Sequence, residues 1–205
     1  MNFDKQAKSF DIDRRKERAK IIASHILTYI DSDSLSAMEF GCGTGLIGLE
    51  LINKFSSVTF VDSSQGMINE VNRKIDNIPN AIALHINLLE DKILNQKFDC
   101  IFTSMVLHHI KNTSEILTIL YDLLNDCGCL IIVDLDKDDG WFHSSETDFD
   151  GHNGFDKSAI SVLLNDAGFS VSEIKTFYSG SKEINEIPVP YSLFIVKSVK
   201  MKIKA

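Results

Sequence analysis

A chain of 205 residues can bury one substantial core, and 44% hydrophobic with 24% charged residues and only three prolines excludes a disordered or fibrous protein. A formal net charge of -8 argues against a nucleic-acid backbone as the main partner, because that binding relies on clustered Lys and Arg. The N-terminus, MNFDKQAKSFDIDRRKERAK, has no apolar signal-type segment, and runs such as Cys129 to Val133 are too short to span a bilayer, so a cytoplasmic protein without membrane contact is expected.

In chain order, residues 13–30 read as an amphipathic helix, with Ala19, Ile22, Ala23, Ile26, Leu27 and Ile30 at helical spacing and a basic opposite face. The pattern then predicts strand 35–40, helix 45–54, strand 57–62, helix 64–76, strands 81–86 and 98–104, helix 112–125, strand 129–135 and helix 156–167. Strands near 169–178 and 191–199 complete the chain. Alternation of this kind implies a mostly parallel sheet covered by helices on both faces, an α/β class. Ligands of such sheets sit at the carboxyl ends of the strands, so functional residues should follow positions 40, 62, 86, 104 and 135. The four cysteines offer no C-x-x-C pair and read as buried reduced thiols rather than as a zinc site or disulfides.

The stretch Gly43-Thr44-Gly45-Leu46-Ile47-Gly48 satisfies G-x-G-x-x-G, which alone would suggest a nicotinamide or flavin dinucleotide. Glu39, two residues before Gly41, speaks against it: a carboxylate there faces the loop that would hold an anionic pyrophosphate. A cationic ligand without phosphate reverses the sign, and Gly41, Gly43 and Gly45 let backbone approach it closely.

Glu39-Phe40-Gly41-Cys42-Gly43-Thr44-Gly45 reads E-x-G-x-G-x-G, and here the chain resembles the class I S-adenosylmethionine-dependent methyltransferases, of the small-molecule, quinone-methyltransferase-like type. The resemblance runs from about residue 3 to 199. It implies a Rossmann-like seven-stranded sheet with the last strand antiparallel beside the fifth, and a single domain. Within it, 1–32 would form a helical cap, 33–135 the cofactor-binding core, 136–155 a substrate lid and 156–205 the closing helix and strands.

The cofactor implied is S-adenosylmethionine, with S-adenosylhomocysteine as product. Asp62, ending the strand Val58 to Asp62, is placed to accept both ribose hydroxyls. Helix capping is the competing role for Asp62, with Ser63 and Ser64 beside it. Met67 either packs on the adenine or belongs to the core. Asn87, with Leu88, stands where the family often has Asp facing the adenine amino group. In Phe98 to Ile110, Thr103 and Ser104 should approach the methionyl part. Of the adjacent His108 and His109, His109 is chosen as the functional one.

The segment DLDKDDGWFHSSETDFDGHNGFD carries eight acidic residues between Asp134 and Asp156 against one lysine, Lys137. Trp141 and Phe142 are expected as an apolar pocket wall, and His143, with His109, is a candidate general base. A metal site from His109, Asp134, Asp136, His143 and His152 matches no ligand spacing, so no metal is expected. The acidic segment favours a neutral or cationic acceptor over a phosphorylated one. The expected activity is in-line transfer of a methyl group to an oxygen, nitrogen or carbon of a small molecule. A non-catalytic S-adenosylmethionine-binding protein and a dinucleotide oxidoreductase are the alternatives.

Overall fold

In the computed structural model, residues 3–32, 35–91, 94–146 and 148–201 are described. Seven strands form one sheet in the order β3-β2-β1-β4-β5-β7-β6. These are β1 Ser36–Phe40, β2 Ser57–Asp62, β3 Ala81–His85, β4 Phe98–Ser104, β5 Leu124–Leu135, β6 Phe169–Ile184 and β7 Ile187–Lys200. Strands β1 to β5 pair in parallel, and β7 lies antiparallel between β5 and β6, as expected from the resemblance. The strand order reverses at β1 and β4, so their carboxyl ends open a crevice.

The helices are α1 Phe3–Gln6, α2 Asp13–Leu27, α3 Leu46–Leu51, α4 Gln65–Ile75, α5 Thr113–Asp122 and α6 Lys157–Asp166. Side-chain alternation along each central strand divides the core in two. Ala37, Phe60, Phe102 and Val133 face one layer with α2, α3 and α4, while Met38, Val61, Ile101 and Ile132 face the other with α5 and α6. The helix expected through residue 30 stops at Leu27, and the chain tightens into i to i+3 bonds from Thr28, Tyr29 and Ile30. Among the described residues no helix is long and apolar enough to cross a membrane.

The last two strands are longer than their sequence suggests. They run to Ile184 and restart at Ile187, a two-residue hairpin. Pro188 and Pro190 hid this ladder, but β5 pairs with β7 only over Leu193–Val199, so both prolines sit where no neighbouring strand needs their N–H. The loop residues Asn185 and Glu186 both have positive φ, 50° and 65°, the sign that a type I′ turn requires. Glu is poorly suited to the second position. Glu186→Gly should therefore stabilise the protein by about 1 kcal/mol, a rise of about 2–4 °C in unfolding temperature, checked by calorimetry.

Candidate functional site

At the carboxyl ends of β1, β2 and β4 the structure holds a cavity of 620 Å³, within the usual range for a small-molecule site. Its floor is the loop after β1. Gly41 adopts φ +66°, and a Cβ there would lie 2.4 Å from Val106 Cγ2, so neither the conformation nor the space admits a side chain. Gly48, in the first turn of α3, is close-packed for a different reason. A Cβ on it would fall 2.4 Å from both Glu39 Oε2 and Phe60 Cε1.

That packing brings Glu39 under the loop. Its Oε2 accepts the Gly48 N–H at 3.1 Å, and the side chain is buried between the neighbouring strands. Burial pushes its pKa up to about 8; the Gly48 hydrogen bond opposes the rise and the nearby Asp62 adds to it. Asp62 is also raised by burial. Its Oδ2 accepts the Gly43 N–H at 2.7 Å and its Oδ1 the Ser64 N–H at 2.8 Å. Helix α4 is capped by Ser64, whose hydroxyl accepts the Met67 N–H, so capping does not depend on Asp62 alone. Two carboxyl groups thus face one glycine loop; a cation bound there favours their ionised forms, and a pyrophosphate opposes them.

The cavity is lined by Glu39, Gly41, Gly43, Asp62, Ser63, Met67, Asn87, Leu88, Ser104 and His109. Three of the expected cofactor-binding and catalytic residues do not line it. Gly45 stands behind, as the left-handed N-cap of α3. Thr103 points into the buried sheet, its hydroxyl unpartnered. His143 is stacked on Phe149 at 3.6 Å behind His109, with Nδ1 on Glu146 at 3.1 Å. Met67 is fully buried and lines the cavity at once, so core and ligand-facing roles coincide. Asn87 Oδ1 accepts the Leu89 N–H at 3.2 Å, leaving one lone pair for another donor. Ser104 Oγ is buried and has no partner.

The paired histidines divide their work. His108 is buried with Nδ1 2.5 Å from Asp134 Oδ1, and its backbone N–H also reaches that carboxylate. His109 lines the cavity, its ring edge-on to Phe3. Burial, with His108 and His143 close by, pushes the His109 pKa down to about 3. It is a neutral imidazole at physiological pH, suited to hydrogen bonding and a weak proton acceptor. Met105, next to Ser104, holds φ +60° while lining the cavity, a strained conformation of the kind found at ligand sites.

The acidic segment supplies little charge to the cavity. Asp134 is used by His108, Asp136 by Lys157, Thr176 and Ser192, and Asp156 by Lys137. Asp138 accepts the Gly140 and Phe142 N–H groups, and Glu146 pairs with His143 and Lys182. Asp150 does line the cavity but is bound by Lys111. The basis for expecting a neutral or cationic acceptor is therefore removed. Trp141 is 61% exposed and forms no pocket wall, while Phe142 is buried against Tyr191. Among the described residues no cluster of His, Cys, Asp and Glu could hold a metal ion.

The N-terminal segment, expected from the sequence as a cap, lies over the cavity, but the side chains that line or anchor it were not among those singled out. Asp4 Oδ1 accepts from Ser64 Oγ and the Gly66 N–H, both at 2.7 Å. Asp11 bonds Thr44 through one oxygen and Lys74 Nζ at 2.6 Å through the other. Phe3, Phe10, Arg15 and Arg18 line the cavity from above. Arg15 and Arg18 share one face of α2 with buried Ala19 and Ile22, spacing that could have separated them from the exposed Arg14, Lys16 and Lys20.

Residues 38–130 match the family model of the methyltransferase domain. That stretch, a little under half of the chain, carries the sequence likeness to methyltransferases. An uncharacterized methyltransferase of Schizosaccharomyces pombe is 29% identical over 181 residues, 80% of this chain and 64% of its own. A malonyl-[acyl-carrier protein] O-methyltransferase of Ilyobacter polytropus is 28% identical over 139 residues, 67% of this chain and 53% of its own. The chain thus spans less than two thirds of either curated relative. Magnesium protoporphyrin IX methyltransferase from Synechocystis, solved with bound S-adenosylhomocysteine, superposes with a TM-score of 0.67 at 19% identity, covering 91% of this chain and 83% of that one.

Proposed function

We propose that the protein is an S-adenosylmethionine-dependent methyltransferase acting on a small molecule. The observation that carries this reading is the pair of carboxyl groups, buried Glu39 and half-buried Asp62, converging on a glycine loop that a phosphate would share poorly. The residues fit the cofactor. Asp62 would accept the ribose hydroxyls with its remaining lone pairs, with Ser63 beside it. Met67, Leu88 and Asn87 would enclose the adenine. The backbone at Gly41 and Gly43 would lie along the methionyl part, with the Ser104 hydroxyl as an added partner, and Arg15, beside Phe10 and this loop, would take its carboxylate. Bound S-adenosylmethionine supplies a methyl group activated on a sulfonium. The protein aligns the acceptor with that methyl and keeps water out, and alignment of this kind can contribute about 7–11 kcal/mol.

The roof of Phe3, Phe10 and α2 over an apolar cavity suits a small acceptor better than a polymer. The malonyl-[acyl-carrier protein] O-methyltransferases among the relatives make an acyl oxygen one acceptor to test. Thermal unfolding with S-adenosylmethionine, S-adenosylhomocysteine and NADH in parallel tests the cofactor. A ligand at about 100 times its dissociation constant stabilises the fold by about 2.7 kcal/mol. Both adenosyl compounds should give the shift and NADH none; a shift with NADH alone would restore the dinucleotide reading.

A further inference from the structure

The roof of the cavity carries more positive charge than the cofactor needs. Arg15 and Arg18 lie one turn apart on α2 and diverge. The Arg15 guanidinium rests 4.0 Å over the Phe10 ring and donates to the Phe10 carbonyl, next to the glycine loop. Arg18 reaches the other way, donating through Nη1 to the Tyr191 hydroxyl at 3.1 Å, beside the packed pair Phe142 and Tyr191. Among the described residues neither arginine is ion-paired, and Asp11, the carboxylate whose charge acts on Arg15, is engaged by Lys74. A half-buried guanidinium with donors to spare, set in an otherwise apolar wall with Ala19 and Ile22, is a recognition group for a planar anion.

The acids and bases around the cavity point the same way. Asp150 is tied to Lys111, Asp62 to two loop amides, and Glu39 to Gly48 beneath the loop. His109 is held neutral by burial and its two histidine neighbours, and burial holds the Cys42 thiol, which also lines the cavity, in its protonated form. An acceptor that must lose a proton in the reaction would find no strong base here. An acceptor already ionised at neutral pH needs none.

We infer that the methyl acceptor is a small organic carboxylate, seated by Arg18, and that the product is a methyl ester. The inference rests on the methyltransferase reading above. In the step it implies, a carboxylate oxygen forms the new O–CH3 bond as the S–CH3 bond breaks and leaves its electron pair on sulfur. No proton moves, and a carboxylate and a sulfonium become a neutral ester and a thioether. Arg18 accordingly binds and aims the carboxylate, and its charge and paired N–H donors favour the carboxylate over the neutral amide of the same acid.

The test uses the full chain loaded with S-adenosylhomocysteine, and a probe panel of benzoate, octanoate and glutarate with the corresponding neutral amides. Carboxylates should raise the unfolding temperature of the loaded protein where amides do not. In parallel, methyl-labelled S-adenosylmethionine is supplied with a deproteinised small-molecule extract, and the product label is sorted into alkali-labile methanol and alkali-stable methyl. Alkali-labile label is expected. Arg18→Gln should reduce it about tenfold to a hundredfold through KM, and Arg18→Lys should recover part of it, with S-adenosylhomocysteine affinity unchanged in both. Label that is alkali-stable, or alkali-labile label undiminished in Arg18→Gln, overturns the carboxylate assignment and leaves the methyltransferase standing. Loss of S-adenosylhomocysteine affinity in Arg18→Gln would return that arginine to the cofactor. Absence of S-adenosylhomocysteine binding by the unmodified chain would bring down both readings.

Discussion

Asp62→Ala will abolish the thermal stabilisation that S-adenosylhomocysteine gives the unmodified chain. Two hydrogen bonds from ribose hydroxyls to a carboxylate are worth about 1.5–3 kcal/mol each, so affinity should fall between about a hundredfold and ten-thousandfold. The same substitution acts on the empty protein. It leaves the Gly43 and Ser64 N–H groups, now served by Oδ2 and Oδ1, without their acceptor. Asp62→Asn separates the two effects, because its single carbonyl oxygen can keep one amide bond while removing the charge. Titration calorimetry should find Asp62→Asn intermediate in affinity and closer to the parent in stability. Equal affinity for S-adenosylhomocysteine in the parent and in Asp62→Ala would remove Asp62 from the site.

Glu39→Gln should move stability and affinity in opposite directions. The Glu39 pKa is raised from 4.5 to about 8, so the native state holds its proton where the unfolded chain has lost it. The cost of that burial is absent below the unfolded value, grows as pH rises, and is complete above about 8, where it amounts to a few kcal/mol. Gln keeps an acceptor for the Gly48 N–H and carries no charge. The empty Glu39→Gln protein should therefore unfold at a higher temperature than the parent at alkaline pH, with the gap closing in acid. Binding of a cationic ligand favours ionised Glu39, so parent affinity for S-adenosylmethionine should rise by up to about tenfold per pH unit on approaching pH about 8, with a proton released. Calorimetry in buffers of different ionisation enthalpy should detect that proton in the parent and not in Glu39→Gln. A variant destabilised at alkaline pH would overturn the electrostatic account.

Local signals made most of the architecture legible. Strand and helix alternation, the glycine loop and the strand ending at Asp62 are short-range patterns, and the structure keeps them in place. What was hidden depends on tertiary partners. The acidic segment looked like free negative charge because its lysine, threonine and serine partners lie 19 to 56 residues away. Arg15 and Arg18 looked like part of a solvated basic face until the Phe10 and Tyr191 contacts turned them inward. The split between His108 and His109 follows from Asp134 reaching only the first, a contact across 26 residues of chain.

Asp4 and Asp11 bind the N-terminal segment to the start of α4 and to the glycine loop, the same pieces that would meet a ligand from below. A ligand entering past this segment would have to break those bonds, and a protein opened in that way would lose part of the support of its floor. Apparent affinity is then the intrinsic affinity scaled by the fraction of molecules with a closed and supported site. Trimming the first dozen residues would therefore weaken binding even of ligand atoms that those residues never touch.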